Sequence, residues 1–186
     1  MKPNRLIFPL AVLGGAALAI TACASLTSAG PVGNKAVPQP VKPVDLDQYT
    51  GLWYELGRYE NRFEKDCEGV TAEYRARPDG LIDVINSCHR GSLSGPVKTA
   101  HGKAKILSGS DNAKLKVSFF GPFYVGDYWV LDHADDYSWS IVGEPSGRYL
   151  WLLSRTAQPH EMVRKTIEAR VRALGYDWSL VRMTQH

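Results

Sequence analysis

From Leu52 onward the chain alternates apolar and polar residues in short runs, the two-residue period of half-buried strands. Val70, Ala72, Tyr74 and Ala76 alternate with polar neighbours, and Leu115, Val117 and Phe119 alternate with Lys114, Lys116 and Ser118. Strands are therefore expected at 52–59, 69–77, 81–88, 98–107, 113–120, 124–131, 137–142 and 148–155. Turn residues separate several of them: Pro78-Asp79-Gly80, Ser108 to Asn112, Ala134-Asp135-Asp136 and Glu144-Pro145-Ser146-Gly147. Glycine, asparagine and aspartate tolerate the backbone angles of tight turns, and proline presets one of them. Eight strands on hairpin-length connections predict an all-β domain, an antiparallel up-and-down barrel or sandwich.

After Arg155 the period changes. Val163, Ile167, Val171 and Leu174 fall on one helical face, with Arg164, Lys165, Glu168 and Arg172 away from it. Pro159 suits the first turn and Gly175 the stop, so one C-terminal helix is expected to pack outside the sheet. Tyr176 to Met183 reads as a short extended segment tied back to it.

The ends of the strand series suggest how the sheet is arranged. Its first strand opens with Gly51-Leu52-Trp53-Tyr54, and its last is Tyr149-Leu150-Trp151-Leu152-Leu153-Ser154-Arg155. Closing the sheet would bring those strands together and let the Arg155 guanidinium lie on the Trp53 indole.

The first residues belong to processing. Lys2 and Arg5 precede an apolar stretch, Leu6 to Ile20, of about 15 residues, short for a membrane span and typical of a secretory leader. Its end, Ile20-Thr21-Ala22-Cys23, resembles a lipobox, in which the cysteine is acylated before cleavage. Ala22-Cys23-Ala24 also fits ordinary small-x-small cleavage, which would discard the cysteine; the lipoprotein reading is preferred. Residue 24 is alanine rather than the aspartate that retains lipoproteins in the inner membrane, so the expected place is the outer membrane, facing the periplasm. The expected organisation is a signal peptide at 1–22, lipidated Cys23 with a flexible tether to residue 44, and one domain over 45–186. The proline-, glycine- and serine-rich composition of that tether cannot bury a core.

Cysteine parity agrees. With Cys23 carrying lipid, Cys67 and Cys88 remain to form a disulfide across a hairpin in an oxidising compartment. A redox or metal role is a poorer alternative, because neither sits in a Cys-x-x-Cys motif. Lys and Arg total 22 against 19 Asp and Glu, and no basic stripe appears, so nucleic acid is not an expected partner. The five histidines show no metal spacing, and Gly143 to Gly147 is not a Gly-x-Ser-x-Gly elbow. No catalytic residue, metal or cofactor is assigned.

Gly51-Leu52-Trp53-Tyr54-Glu55, Asn61-Arg62-Phe63-Glu64, Leu115 to Tyr124 (Leu-Lys-Val-Ser-Phe-Phe-Gly-Pro-Phe-Tyr) and Tyr149 to Arg155 together resemble the lipocalins, more narrowly their bacterial outer-membrane lipoprotein branch. The resemblance runs over about residues 45–184, with Leu131-Asp132-His133 standing where the family often has Thr-Asp-Tyr. It implies an eight-stranded calyx, shut at one end by Gly51, Trp53 and Arg155 and open at the other, with room for one small hydrophobic ligand.

Tyr59, Phe119, Phe123, Tyr124, Trp139, Tyr149 and Trp151 are the expected ligand-binding residues. With a period of two, Tyr149, Trp151 and Leu153 share the inward face with Arg155, while Leu150 and Leu152 face outward beneath the helix. The same phase carries Glu55, Gly57 and Tyr59 inward after Trp53, Gly57 leaving room for ligand. The expected ligand is a fatty acid or lysophospholipid, because each buried methylene contributes about 0.8 kcal/mol without directional demands. Tyrosine hydroxyls, Arg58 or Arg62 would meet its head group. A lipid-anchored binder in transport, storage or membrane repair is the resulting expectation. A haem or tetrapyrrole binder and a lipocalin-type enzyme acting on a bound ligand are the alternatives.

Overall fold

The computed structural model describes residues 30–186; the leader and Cys23 lie outside the described residues. The elements are α1 (Leu46–Tyr49), β1 (Gly51–Tyr59), β2 (Cys67–Ala76), β3 (Ile82–Arg90), β4 (Val97–Ile106), β5 (Lys114–Ser118), β6 (Gly126–His133), β7 (Trp139–Gly143), β8 (Leu150–Ser154), α2 (Glu161–Ala173) and β9 (Val181–Met183). Each strand from β1 to β8 pairs antiparallel with the next, and β1 also pairs with β8. The sheet is thus a closed eight-stranded barrel, an arrangement that removes exposed strand edges. Gly51 holds φ at 96°, a left-handed conformation open to glycine and strained for other residues, where the chain turns out of α1 into the first strand.

The edge of β1 facing β2 is shared. Gly51 to Tyr54 pair with β2, whereas Gly57 to Tyr59 pair with β9, so the C-terminal strand fills the seam where β1 and β2 part. The Gly69 amide donates to Gln185 O at 2.8 Å, stitching β9's end to β2 as well. Cys67 and Cys88 are joined as a disulfide across β2 and β3, with their Cα atoms 5.5 Å apart.

Two apolar cores lie on opposite faces of the sheet. Inside are Trp53, Tyr74, Ile82, Val84, Leu115, Val130 and Leu153; outside, between sheet and α2, are Leu56, Tyr59, Leu131, Trp139, Ile141, Leu150, Leu152, Ile167 and Val171. Leu150 and Leu152 therefore lie under the helix, as strand alternation requires. Asp132, buried at the end of β6, accepts a 2.5 Å bond from Arg170 of α2 and one at 2.9 Å from the His133 amide. That carboxylate ties the helix to the barrel.

The stretch before the barrel is more ordered than a proline-rich tether suggests. From residue 30 it runs down the outer wall: the Gly33 amide donates to Gly147 O at 2.9 Å, Asn34 Nδ2 to Leu174 O at 2.9 Å, and the Val41 amide to Leu131 O at 2.9 Å. Val44 is then buried in the inner core, and α1 turns under the barrel. Pro38 and Val44 are buried against the fold while Val32, Val37 and Val41 stay exposed, so the stretch is held by its hydrogen bonds and needs no core of its own.

Candidate ligand site

The lower end is a plugged floor. Arg155 Cζ lies 3.7 Å from the centre of the fully buried Trp53 ring. The guanidinium donates to Leu52 O at 2.7 Å, Gln48 O at 2.5 Å, Thr50 O at 3.0 Å and Tyr49 O at 3.2 Å. It thereby collects carbonyls left free where α1 ends. Trp53 Nε1 donates to Tyr49 O at 2.8 Å. Above this, Tyr49 Oη meets Tyr128 Oη at 2.8 Å and Ser140 Oγ at 3.2 Å, and Tyr128 donates to Tyr74 at 2.9 Å. Burial drives the phenol pKa values upward, that of Tyr49 to about 12, so the network stays neutral. Beside it Tyr49, Tyr74, Leu115 and Tyr128 line a cavity of about 20 Å³, room for about one water.

The upper half differs. The inward-facing residues of the lower wall, Tyr74, Ile82, Val84, Ala104 and Val130, are buried, but those higher up, Asn86, Ala100, Gly102, Phe119, Gly126 and Trp151, are partly exposed. Four of those six are small or polar. The Phe119 ring takes the place a Gly102 side chain would fill, 2.8 Å from an ideal Cβ there. Phe63, Tyr149 and Trp151 stack in sequence, with ring centres 5.9 and 5.7 Å apart. Asn86 Oδ1 is buried on the same wall without a hydrogen-bond partner.

Beside these rings lies a buried charge cluster. Arg58, with no exposed surface, donates to Glu55 at 2.8 Å, Glu60 at 3.0 Å and the Glu64 carbonyl at 2.8 Å. Trp151 Nε1 donates to Glu64 Oε2 at 2.8 Å. Thr184, just past β9, donates to Glu55 at 2.5 Å, and Arg182 of β9 bonds Glu68 and pairs with Glu60 at 3.2 Å. Burial first, and then repulsion from Glu64, push the Glu55 carboxyl up to about 8, although Arg58 and Thr184 act against that shift. Burial pulls the Arg58 pKa down, but the facing carboxylates, Glu55 foremost, outweigh it and leave the value raised.

The expected ligand residues separate into three groups. Phe119 and Trp151 pack against the inner core toward the mouth, and Tyr149 stacks on Trp151. Tyr59 and Trp139 do not: both belong to the outer core beneath α2, Tyr59 donating to Asp177 O at 2.8 Å. The reason for Tyr59 is a bulge. Glu55 pairs with Leu153 but Gly57 with Leu152, so Leu56 is the extra residue and the phase reverses. Arg58 then faces in, while Gly57 and Tyr59 face out, and Gly57 packs against β9 rather than making room for ligand. Trp139 faces out because its neighbours Ser140 and Val142 hold the inward positions of β7. Phe123 and Tyr124 belong to the rim loop, Phe123 exposed and Tyr124 beneath Lys105 Nζ at 5.0 Å. Arg62, exposed, lies over Phe63 at 5.1 Å. Sequence reasoning turned Glu55 inward and named Arg58 for a head group, but missed their pairing with each other and with Glu64.

A closed antiparallel barrel with an open mouth, a plugged floor and an external helix defines a calyx that takes small ligands. The chain belongs to the lipocalin family: a family profile described as a lipocalin-like domain matches residues 44–186. It is 47% identical over 128 residues to outer membrane lipoprotein Blc of Vibrio cholerae, covering 67% of this chain and 74% of that one. With outer membrane lipoprotein Blc of Escherichia coli it shares 38% identity over 173 residues, 93% of each chain. Insecticyanin of the tobacco hornworm Manduca sexta has the same fold, with a TM-score of 0.63 over 86% of this chain and 88% of that one at 20% identity.

Proposed function

We propose that the chain binds single-chain lipids, with the acyl tail in the calyx and the head group at the mouth, and prefers a zwitterionic lysophospholipid to a free fatty acid. The charge balance of the cluster beside Trp151, set inside the rim residues Arg62, Lys65, Arg90 and Lys98, carries this reading. Three carboxylates, Glu60, Glu64 and Glu68, together with Glu55, which burial holds toward its protonated form, face two guanidinium groups, Arg58 and Arg182, and both guanidinium groups are already paired. A further carboxylate from a fatty acid would enter an acidic site. An ammonium group would be attracted to the carboxylates and to the aromatic stack beside them. In this reading Cys23 carries lipid and holds the protein at the outer membrane, on its periplasmic side, where it stores, carries or returns lipids released from the bilayer. The relatives named as outer membrane lipoproteins support that location.

A binding role suits the inner wall better than a catalytic one. Its hydroxyls, Tyr49, Tyr74, Tyr128 and Ser140, hydrogen-bond one another at the floor, far from the open mouth. Displacement of a fluorescent acyl probe provides the test. Lysophosphatidylethanolamine is expected to displace it at about tenfold lower concentration than palmitate, a preference of about 1.4 kcal/mol. Equal displacement would overturn the head-group preference, and displacement by neither would overturn the lipid reading.

A further inference from the structure

Six of the twelve large apolar side chains exposed among the described residues stand on one rim. Three of the four described phenylalanines sit on loops at the mouth: Phe120 is 84% exposed, Phe123 69% and Phe63 53%. Val125, Leu93 and Val97 stand exposed on the same rim. A soluble barrel gains nothing from six apolar tips around one opening, and such a patch marks a contact surface.

Charge follows the same axis. Exposed on the rim are Arg62, Lys65, Arg90 and Lys98, with Glu60 and Asp66. Around the floor, Asp45, Asp47, Asp79, Asp111, Asp135 and Asp136 are exposed. Of the basic groups at that end, Lys42 is paired with Asp135 and Arg77 with Asp79 and Asp83, while Arg155 is drawn onto Trp53 and the α1 carbonyls. An anionic surface would therefore attract the mouth and repel the floor.

The N-terminal chain enters at the mouth too. Gly30 lies beside Glu60, and its carbonyl accepts from Arg148 in the β7–β8 loop. Seven residue steps separate Cys23 from Gly30, a reach of about 25 Å at full extension. That is roughly the height of the barrel itself, given strands of 9–10 residues tilted as barrels require. An anchor on Cys23 therefore keeps the mouth end near the bilayer, and only a taut chain along the wall would bring the floor there.

We propose that the rim is a membrane-docking surface: the loops carrying Phe63, Phe120 and Phe123 enter the interfacial region of the anchoring bilayer, so that the calyx opens directly onto lipid. The inference rests on the reading of the calyx as a lipid binder and of Cys23 as the anchor. A lipid then passes between bilayer and barrel without crossing water, and the basic rim residues sit at the level of the phosphates.

The experiment uses the full-length lipoprotein in vesicles of phosphatidylethanolamine and phosphatidylglycerol. An environment-sensitive fluorophore is placed at Phe123→Cys on the rim or at Leu52→Cys on the floor. The rim label should be quenched by lipids carrying a nitroxide on the acyl chain and shielded from aqueous iodide, and the floor label should behave oppositely. A rim label as open to iodide as the floor label, or protein that fails to float with the vesicles, overturns the proposal. The pair Phe120→Asp with Phe123→Asp separates docking from binding. Displacement of the acyl probe by dissolved lysolipid should survive, while uptake of lysolipid from vesicles slows about tenfold. Unchanged uptake overturns docking. Loss of probe displacement in the wild type would overturn the binder reading alone, because label depth is read without any ligand.

Discussion

Trp53 and Arg58 stand five residues apart on one strand, yet they belong to environments built on different physics. Around Trp53 the barrel is dry and closed: an indole is covered by a guanidinium, and the guanidinium is spent on the carbonyls of α1. Around Arg58 charges are buried as well, but they face a wall that remains partly exposed and lined with small residues. The bulge at Leu56 separates the two regions. Below it the strand alternates as a barrel strand must; above it the phase is reversed and a charged pair, Glu55 and Arg58, is turned to one side. The floor is therefore where the fold is stabilised, and the mouth is where it holds groups that a better-packed core would replace with hydrocarbon.

Trp53→Ala is the most severe way to break that division. Removing a fully buried indole should lower unfolding free energy by about 3–5 kcal/mol, measured by urea denaturation. Trp151→Ala at the partly exposed mouth should lower stability much less but weaken displacement of the acyl probe. Equal stability losses in the two variants would erase the distinction between floor and mouth.

Arg155→Lys is a gentler probe of the floor. The ammonium keeps the charge but cannot lie flat on the indole while reaching carbonyls at Gln48, Leu52 and Thr50 together. A loss of about 1.5–3 kcal/mol is expected in the same assay, the range for hydrogen bonds to a charged group. A variant as stable as the wild type would mean that charge, rather than planar geometry, closes the barrel.

These contrasts also show how far the residues announce the structure. Strand alternation and turn chemistry gave eight strands close to their observed positions, because one face of each strand is buried and the pattern is fixed by that face. The floor was legible for the same reason: Gly51, Trp53 and Arg155 occupy the ends of strands that must meet. The mouth was not. A strict period of two places Tyr59 inside, and nothing in the alternation marks the extra residue at Leu56. One signal was available, since Glu55 and Arg58 lie three apart on a strand and cannot share a face unless a bulge intervenes. Gly57, a glycine inside a strand, points the same way. Trp139 failed for another reason: an aromatic in a short strand fits either face, and only the pairing of β7 with its neighbours decides between core and cavity.

Glu55 offers the finest test, through pH. Its carboxyl has a folded pKa of about 8 against an ordinary value of 4.5, raised by burial and by Glu64. Between those two values the unfolded chain has released the proton while the folded chain keeps it. Stability should therefore fall as pH rises from about 5 to 8 and level off above, with a slope of at most about 1.4 kcal/mol per pH unit. Carboxylates with the opposite shift act elsewhere: Asp79, held down to about 2 by Arg77, and Glu68, lowered by its bonds to Gln185 and Arg182 against burial, add stability that is lost only as pH falls below the ordinary carboxylate range. The two windows do not overlap. Glu55→Gln keeps the shape and a hydrogen-bonding oxygen for Arg58 and Thr184, so it should flatten the dependence of melting temperature on pH between 5 and 8 and leave the acid limb in place. An unchanged slope in that variant would show that Glu55 is ionised in the fold and that the mouth is wetter, and its charges more freely solvated, than the burial of Arg58 implies.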